Sequence, residues 1–234
     1  NDARGKVFGI VIQSGAMLAV IWEYRARFLR LATSFASDPG ARQFGINLVI
    51  AFLPAALLGL LFGSFIKQHL FQTHAVALAF IAGGIVILWV EREPRRTAVE
   101  NVDDMTWKDA LKVGVAQAFA LIPGTSRAGA TIIGGMLFGL SRRAATEFSF
   151  FLAVPTLIAA GIYDVYANRS VLVTGDVGVF TTGFVASFMS AFVCVRWLLR
   201  YIAAHDFSVF AWYRIGFGVL VLSTGYAGLV NWSA

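Results

Sequence analysis

The sequence predicts an all-α membrane protein, a polytopic helix bundle with an inverted repeat and a re-entrant helical hairpin. Of its 234 residues, 58% are hydrophobic and only 14% are charged, whereas about 25% are charged in an average soluble domain. The charged residues cluster between long apolar runs, as they do in the aqueous loops that join membrane helices. One apolar stretch, residues 113–141, carries a single arginine at its centre, which is costly in a simple spanning helix.

Six charge-free runs of 16 to 23 residues predict helices that cross the membrane. About 17–25 residues span the hydrocarbon core of a bilayer, and flanking side chains extend the reach of slightly shorter helices. The predicted spans are residues 7–22, 44–66, 75–90, 148–163, 177–195 and 215–234. We therefore expect a single integral membrane domain over residues 1–234.

The remaining apolar stretch is predicted to fold back on itself as a re-entrant hairpin over residues 110–141. Its halves on either side of Arg127 have 14 residues each, and a helix of that length is about 21 Å long, too short for a core of roughly 30 Å. Pro123 and Gly124 lie between the halves, where proline removes a backbone donor and glycine permits a turn. Because non-helical backbone survives at membrane depth only beside protein or water, a polar cavity is predicted around residues 123–127.

The lysine and arginine residues between the spans predict the orientation. Thirteen would lie on one side and four on the other, and the richer side is normally cytoplasmic. The thirteen are Arg25, Arg27, Arg30, Arg42, Arg92, Arg95, Arg96, Lys108, Lys112, Arg142, Arg143, Arg196 and Arg200, and the four are Arg4, Lys6, Lys67 and Arg169. This asymmetry requires that the hairpin enters and leaves on the same side.

A faint internal similarity at an offset near 136 residues predicts the inverted repeat. Residues 52–56 (FLPAA) match residues 188–192 (FMSAF), and residues 8–20 match residues 146–158. Because each copy would contain an odd number of crossings, the two copies would run in opposite directions, as in many transport proteins.

Residues 123–131, PGTSRAGAT, combine three devices for binding an anion. A helix starts here, so its free N–H groups and its positive dipole end would face the turn. Thr125 and Ser126 can cap this helix or donate hydroxyl hydrogen bonds, and Arg127 adds a permanent charge with a planar donor fork. Since an idle arginine is costly in a membrane, we predict that Arg127 and Ser126, together with Gly124 and Thr125, bind an anion.

Four polar residues elsewhere are weaker candidates. Thr131, one helical turn after Arg127, either binds phosphate in the same cavity or bonds to its own helix. Gln117 and Gln13 either support the site or form interhelical hydrogen bonds. Glu147 either has a role in the site or stabilises a helix N-terminus.

Two other chemistries are not indicated. Nucleic-acid binding is not expected, because a basic face with interleaved aromatic residues is absent. His69, His74 and His205 lie in loops or at a boundary without a carboxylate cluster, so no metal ligands are identifiable in this chain. Arg214, at the start of the last span, is expected to reach the interface or to pair within the bundle.

Several long motifs in the chain match one family. They resemble the undecaprenyl-diphosphate phosphatases, also called bacitracin-resistance proteins, over essentially the whole sequence. The matching segments are LIPGTSRAGATI at residues 121–132, GGM at 134–136, EFSFFLAVP at 147–155, DDMT at 103–106, and VIQ at 11–13 with Gly15.

The resemblance implies an enzyme of the bacterial inner membrane that removes one phosphate from undecaprenyl diphosphate. The product would be the lipid carrier of cell-wall precursors, and the activity would confer bacitracin resistance. The resemblance also implies a divalent cation, Mg²⁺ or Ca²⁺, and leaves a homodimer open. It assigns Ser126, Arg127 and Thr131 to the family's second motif, with Arg127 held essential. From this resemblance we predict Arg127 and Ser126 as catalytic residues and Gly124 and Thr125 as phosphate-binding residues.

Some features depart from the family pattern. The first motif, a Glu-rich helix with a Pro-x-Ser-Ser-x-Gly-His turn, would precede Asn1, and we expect the chain to begin partway through a longer protein. Gly9, Ser14 and Ala128 stand where the family usually has Glu, Leu and Ser. Two alternatives therefore remain: a polyprenyl-phosphate transporter or flippase without hydrolase activity, and a binding subunit that has lost catalysis.

Overall fold

The structure, a computed structural model, describes residues 3–93, 97–167 and 177–230. Within these residues the regular elements are all helices, and the one extended pairing is an isolated bridge between Val99 and Leu140. The all-α prediction is confirmed. Arg95, Arg96, Arg169 and the last four residues of the sixth predicted span lie outside the described residues.

The α-helices are numbered here in chain order. They are α1 (Ala3–Glu23), α2 (Arg25–Ser34), α3 (Pro39–Leu70), α4 (Thr73–Arg92), α5 (Trp107–Ala118), α6 (Arg127–Leu137), α7 (Arg142–Ala167), α8 (Val177–Ala204) and α9 (Ser208–Tyr226). Short 3₁₀ turns at Val102–Asp104 and Phe119–Leu121 precede and follow α5.

Four of these helices are long and apolar enough to cross a membrane. They contain Pro39–Ile66, Thr73–Arg92, Gly178–Ala204 and Ser208–Tyr226, and they correspond to four of the six predicted spans. The predicted spans in α1 and α7 are helical, and their crossing stays a prediction. The last span was predicted to begin after Arg214, but α9 begins at Ser208, because this arginine is buried inside the helix and does not end it.

The described residues form two compact units, Asn1–Gly45 with Phe150–Tyr201 and Ile46–Ser149 with Ile202–Ala234. In the first unit, α1 and α8 run side by side in the same direction. The Ser187 hydroxyl donates to the carbonyl oxygen of Ile12 at 2.6 Å, and Arg196 pairs with Glu23 at 2.7 Å. The predicted single domain stays a prediction.

In the second unit, α4 and α9 pack closely in antiparallel directions through glycines. A Cβ atom on Gly84 would lie 2.8 Å from the carbonyl oxygen of Ala211, and one on Gly218 would lie 2.8 Å from that of Ala77. Small residues at such contacts let helix backbones approach where lipid offers no hydrophobic driving force. Helices α4 and α9 therefore pack with their backbones in direct contact.

The order of the helices supports the predicted repeat. Helices α7, α8 and α9 begin 139, 138 and 135 residues after α1, α3 and α4. In the predicted repeat, helices α4 and α9 would occupy equivalent places in the two copies. Their antiparallel packing is the arrangement that an inverted repeat requires.

A buried carboxylate at the C-terminal end of α4 joins three helices. The Glu91 side chain is 4% exposed and accepts hydrogen bonds from Arg142 at 2.6 Å and from the backbone N–H of Phe207 at 2.9 Å. Breaking such a buried pair by removing one partner typically costs about 3–5 kcal/mol. The start of α7 and the start of α9 therefore lie at the same end of α4.

Helices α5 and α6 pack against each other as a helical hairpin. A Cβ atom on Gly134 of α6 would overlap the Cβ of Ala116 on α5. The segment before α5 also bonds to the segment after α6, because the N–H of Ala98 donates to the carbonyl oxygen of Gly139 at 2.8 Å. Both outer ends of the hairpin therefore meet, and that they face the same side of a membrane stays a prediction.

The hairpin is longer at its start than predicted and reaches deep along α4. Helix α5 begins at Trp107, where Thr106 and Asp109 form a capping box. At the turn, a Cβ atom on Gly124 would lie 2.5 Å from the carbonyl oxygen of Val76 in the first turns of α4. Because Val76 precedes Glu91 by 15 residues, the turn lies about 22 Å along α4 from the Glu91 end at 1.5 Å per residue.

We predict that single cysteines at Lys108 and Arg143, both exposed, react with a membrane-impermeant maleimide from the same side. A cysteine at Gln72, just before α4, should react from the opposite side, since α4 crosses the membrane. The measurement compares intact spheroplasts with opened membranes in a Cys194→Ala background. If Lys108→Cys and Arg143→Cys label from opposite sides, the re-entrant hairpin is wrong.

Candidate active site

The turn between α5 and α6 has a strained backbone. Gly124 has φ 92° and Ser126 has φ 69°, and Ser126 is the one non-glycine residue with positive φ in the described part of the chain. A non-glycine residue at such an angle costs about 1–3 kcal/mol, and residues of this kind cluster at functional sites. Within the turn, the N–H of Thr125 donates to the carbonyl oxygen of Ile122 at 3.2 Å.

Ser126 is the N-cap of α6. Its Oγ accepts a hydrogen bond from the N–H of Gly129 at 3.2 Å, and its carbonyl oxygen accepts from Ala130 at 2.9 Å. The N–H groups of Arg127 and Ala128 belong to the first turn and have no partner inside the helix. These groups and the helix dipole make this end of α6 attractive to an anion.

Arg127 is the first residue of α6 and is partly buried. Its Nη1 donates to the carbonyl oxygen of Ser149 on α7 at 3.2 Å, and the described residues provide no partner for its other guanidinium nitrogens. One contact thus aims the side chain while most of its donors stay uncommitted. A guanidinium in this state can form two-point hydrogen bonds to phosphate oxygens.

Thr131 is fully buried beneath Arg127. Its hydroxyl lies 3.0 Å from the carbonyl oxygen of Arg127 and 2.6 Å from the Ser149 hydroxyl. It therefore bonds to its own helix and to the residue that holds Arg127. Direct binding of phosphate by Thr131 stays a prediction that this burial does not favour.

Gln117 and Glu147 make their hydrogen bonds away from the turn. Gln117 is 1% exposed, and its Nε2 donates to the carbonyl oxygen of Ala51 at 3.5 Å, an interhelical contact between α5 and α3. Glu147 pairs with Arg143 at 3.0 Å on the same helix. Gln13 is exposed on α1 in the first unit, and its role in a site stays a prediction.

An apolar cavity of about 620 Å³ adjoins the turn in the second unit. Thr125, Gly129 and Arg214 line the cavity beside the helix N-terminus. The rest of its wall is mostly aliphatic and aromatic and includes Leu78, Val86, Val115, Phe119 and Ile133. The polar cavity predicted around residues 123–127 is thus a mainly apolar one with polar groups at its edge.

Arg214 reaches the turn from α9, and this contact was not among the predicted site features. The arginine is 8% exposed, and its Nη2 donates to the carbonyl oxygens of Gly124 at 2.8 Å and Ala79 at 3.2 Å. The expectation of pairing within the bundle is therefore the one that the structure favours. The sequence signal for this contact was a single charged residue in an apolar run. That signal does not identify the group that the charge will contact.

The described residues do not fit a bound divalent cation. No group of three or more His, Cys, Asp and Glu residues lies close enough there to hold a metal.

Comparisons with known proteins identify the family. Residues 1–220 match the family described as bacitracin resistance protein BacA. The chain belongs to the BacA family. The undecaprenyl-diphosphatase of Nitrosospira multiformis is 63% identical over 233 residues, that of Dechloromonas aromatica is 61% identical over 234 residues, and undecaprenyl-diphosphatase 2 of Rhodospirillum rubrum is 61% identical over 235 residues. Each alignment covers 100% of this chain and 85% of the relative.

Membership of the BacA family agrees with the helix composition. With four helices apolar enough to cross a membrane, this BacA family member is a multi-pass protein of the bacterial inner membrane. The resemblance inferred from residues 121–132 and 147–155 is confirmed. The catalytic and binding roles of individual residues stay predictions.

Replacing Gly124 by alanine should destabilise the turn of this BacA family member. Alanine would adopt a φ of 92° and place its Cβ 2.5 Å from the carbonyl oxygen of Val76. At about 1–3 kcal/mol for the strain and 2–4 °C per kcal/mol, the midpoint of thermal unfolding in detergent should fall by several degrees. The matched control is Gly63→Ala on α3, where a Cβ meets nothing within 4 Å. Equal midpoints for the two variants would contradict the geometry of the turn.

Proposed function

We propose that this protein hydrolyses undecaprenyl diphosphate to undecaprenyl phosphate and inorganic phosphate. One observation carries the proposal: the N-terminus of α6, which Ser126 caps and Arg127 begins, adjoins through Thr125 and Gly129 an apolar cavity of about 620 Å³. A diphosphate on an apolar chain presents both of the chemistries that this arrangement would bind. Relatives that are 61–63% identical carry the name undecaprenyl-diphosphatase, which supports this substrate.

The residues of the turn can stabilise the charge that develops during hydrolysis. The oxygen of a water molecule would bond to the terminal phosphorus, the bond to the bridging oxygen would break, and that oxygen would stay with the lipid monophosphate. Catalysis of phosphoryl transfer rests mainly on positioning and on electrostatic stabilisation of the phosphoryl oxygens. The free N–H groups of α6 and the Arg127 guanidinium supply both.

Ser126 can serve the helix and the substrate together. Its oxygen accepts the hydrogen bond from Gly129, which leaves the hydroxyl hydrogen available to a phosphate oxygen. Ser149 and Thr131 act through Arg127, because the carbonyl oxygen of Ser149 fixes Nη1 and the Thr131 hydroxyl lies 2.6 Å from the Ser149 hydroxyl. They are positioning residues in this proposal.

The depth of the turn suggests which membrane face the substrate headgroup meets. The turn lies beside Val76, near the N-terminal end of α4, whereas the outer ends of the hairpin lie at the Glu91 end. The predicted orientation assigns the Glu91 end to the cytoplasm, since most lysines and arginines flank it. The headgroup would then meet the turn nearer the opposite face.

Two further elements stay proposals from the family resemblance. A divalent cation, Mg²⁺ or Ca²⁺, would need ligands other than those that the described residues provide. A homodimer would be tested by native mass in detergent. The expected bacitracin resistance would follow because the reaction supplies undecaprenyl phosphate.

A transporter or flippase is the alternative function. The inverted packing of α4 and α9 favours it, because alternating access often uses such repeats. Purified protein incubated with farnesyl diphosphate separates the alternatives, since a phosphatase releases inorganic phosphate and a flippase or a binding subunit does not. Absence of phosphate release by the wild-type protein would overturn the proposed function.

Arg127→Lys should lower kcat/KM for farnesyl diphosphate about 100-fold or more, because an ammonium lacks the planar two-point fork and electrostatic donors of this kind are worth about 10²–10³ in rate. The measurement is phosphate release by purified protein. Arg196→Lys, at an exposed ion pair with Glu23, is the matched control and should retain wild-type activity. A lysine variant at position 127 within about threefold of wild type would remove the clamp role of Arg127.

A further inference from the structure

We propose that Arg214 is a positioning residue that holds the phosphate-binding turn in its active conformation, an inference that rests on the proposed function. Arg214 lies in α9, 90 residues from the turn in sequence, and it bonds directly to that turn. Its Nη2 donates to the carbonyl oxygen of Gly124 at 2.8 Å and to that of Ala79 in α4 at 3.2 Å. One nitrogen of Arg214 thus connects the turn to α4.

The turn needs a restraint from outside itself. Its two residues with positive φ, Gly124 and Ser126, are held locally by the contact from Thr125 to Ile122 and by the cap on Gly129. A strained backbone persists only when the surrounding structure over-determines it. The carbonyl of Gly124 accepts its hydrogen bond from Arg214, and a carbonyl without a donor would be costly in a membrane.

Arg214 is built into the fold at considerable cost. It is 8% exposed, and its Nε has no hydrogen-bond partner among the described residues. Its guanidinium carbon lies 4.9 Å from the centre of the Phe80 ring, which offsets part of the desolvation. Hydrogen bonds from a charged donor are roughly twice as strong as neutral ones, so the two carbonyl contacts give this expensive charge a defined role.

Gly83 provides the space for this guanidinium. A Cβ atom at position 83 would lie 2.5 Å from Nη2 and 3.1 Å from the guanidinium carbon of Arg214. Alanine there would push the side chain off the Gly124 carbonyl while leaving the charge of Arg214 in place. Gly216, on the same helix as Arg214, offers a matched control, since a Cβ there meets nothing within 4 Å.

The test measures the order of the turn separately from activity. Hydrogen–deuterium exchange of the full protein in detergent follows the amides of Ile122, Gly124 and Thr125, since Pro123 has no backbone N–H. Exchange should quicken about tenfold or more in Arg214→Gln and Gly83→Ala and stay unchanged in Gly216→Ala. Arg214→Lys should give an intermediate rate, because an ammonium can still donate to one carbonyl, and it remains informative if Gly83→Ala does not fold.

Kinetics with farnesyl diphosphate then connect the order of the turn to catalysis. We expect kcat to fall about tenfold or more in Arg214→Gln and Gly83→Ala, with KM within about threefold of wild type, because in this proposal Arg214 aligns the turn and does not bind the phosphate. Combining Arg214→Gln with Ser126→Ala should cost less than the product of the single effects, since both act on one turn.

Three results would overturn the inference. They are unchanged exchange in Arg214→Gln, faster exchange with wild-type kcat, and a rise in KM alone, which would make Arg214 a substrate contact. If the wild-type protein releases no phosphate, the proposed function fails while the exchange measurement still decides whether Arg214 holds the turn.

Discussion

The glycine-mediated contact between α4 and α9 is the constraint on which the candidate site depends. Gly84 and Gly218 bring the two backbones together, and Gly83 leaves a gap of the right size for a guanidinium. In lipid, every backbone polar group must find a partner within the protein. The helix pair meets this requirement for an irregular turn by presenting Arg214 to the carbonyl of Gly124. The N-terminal end of α6, where we propose that phosphate binds, can stay open to a ligand because the carbonyl of Gly124 already has a donor.

Much of the fold could be predicted because its signals are local and energetically large. A charge in a long apolar run is expensive, so loops, spans and the hairpin around Arg127 follow from where charges occur. The predicted helix boundaries were less accurate where a charged side chain has a hydrogen-bond partner within the protein. Helix α9 continues through Arg214 because the guanidinium is bonded, and α5 starts before Lys112 because Thr106 and Asp109 cap it there.

The candidate site likewise combines local features that the sequence indicates and tertiary contacts that it does not. The cap at Ser126 and the role of Gly124 in the turn depend on neighbours in sequence, and residue type indicates them directly. The contact from Arg214 to Gly124 and the contact from Arg127 to Ser149 are tertiary. No periodicity or composition specifies which of many carbonyls such a side chain will meet. For Thr131 the residue type allowed two interpretations, and only its burial distinguishes them.

The cavity beside the turn limits how much of a lipid chain the protein can contact. Its volume of about 620 Å³ lies within the range of roughly 300–1,000 Å³ that encloses a drug-sized ligand. A C55 chain is larger than this volume, so part of its length would remain among the acyl chains of the bilayer. Recognition would therefore depend on the headgroup and on the isoprene units nearest to it. Tolerance of chain length would be a property of the surrounding membrane more than of the binding surface.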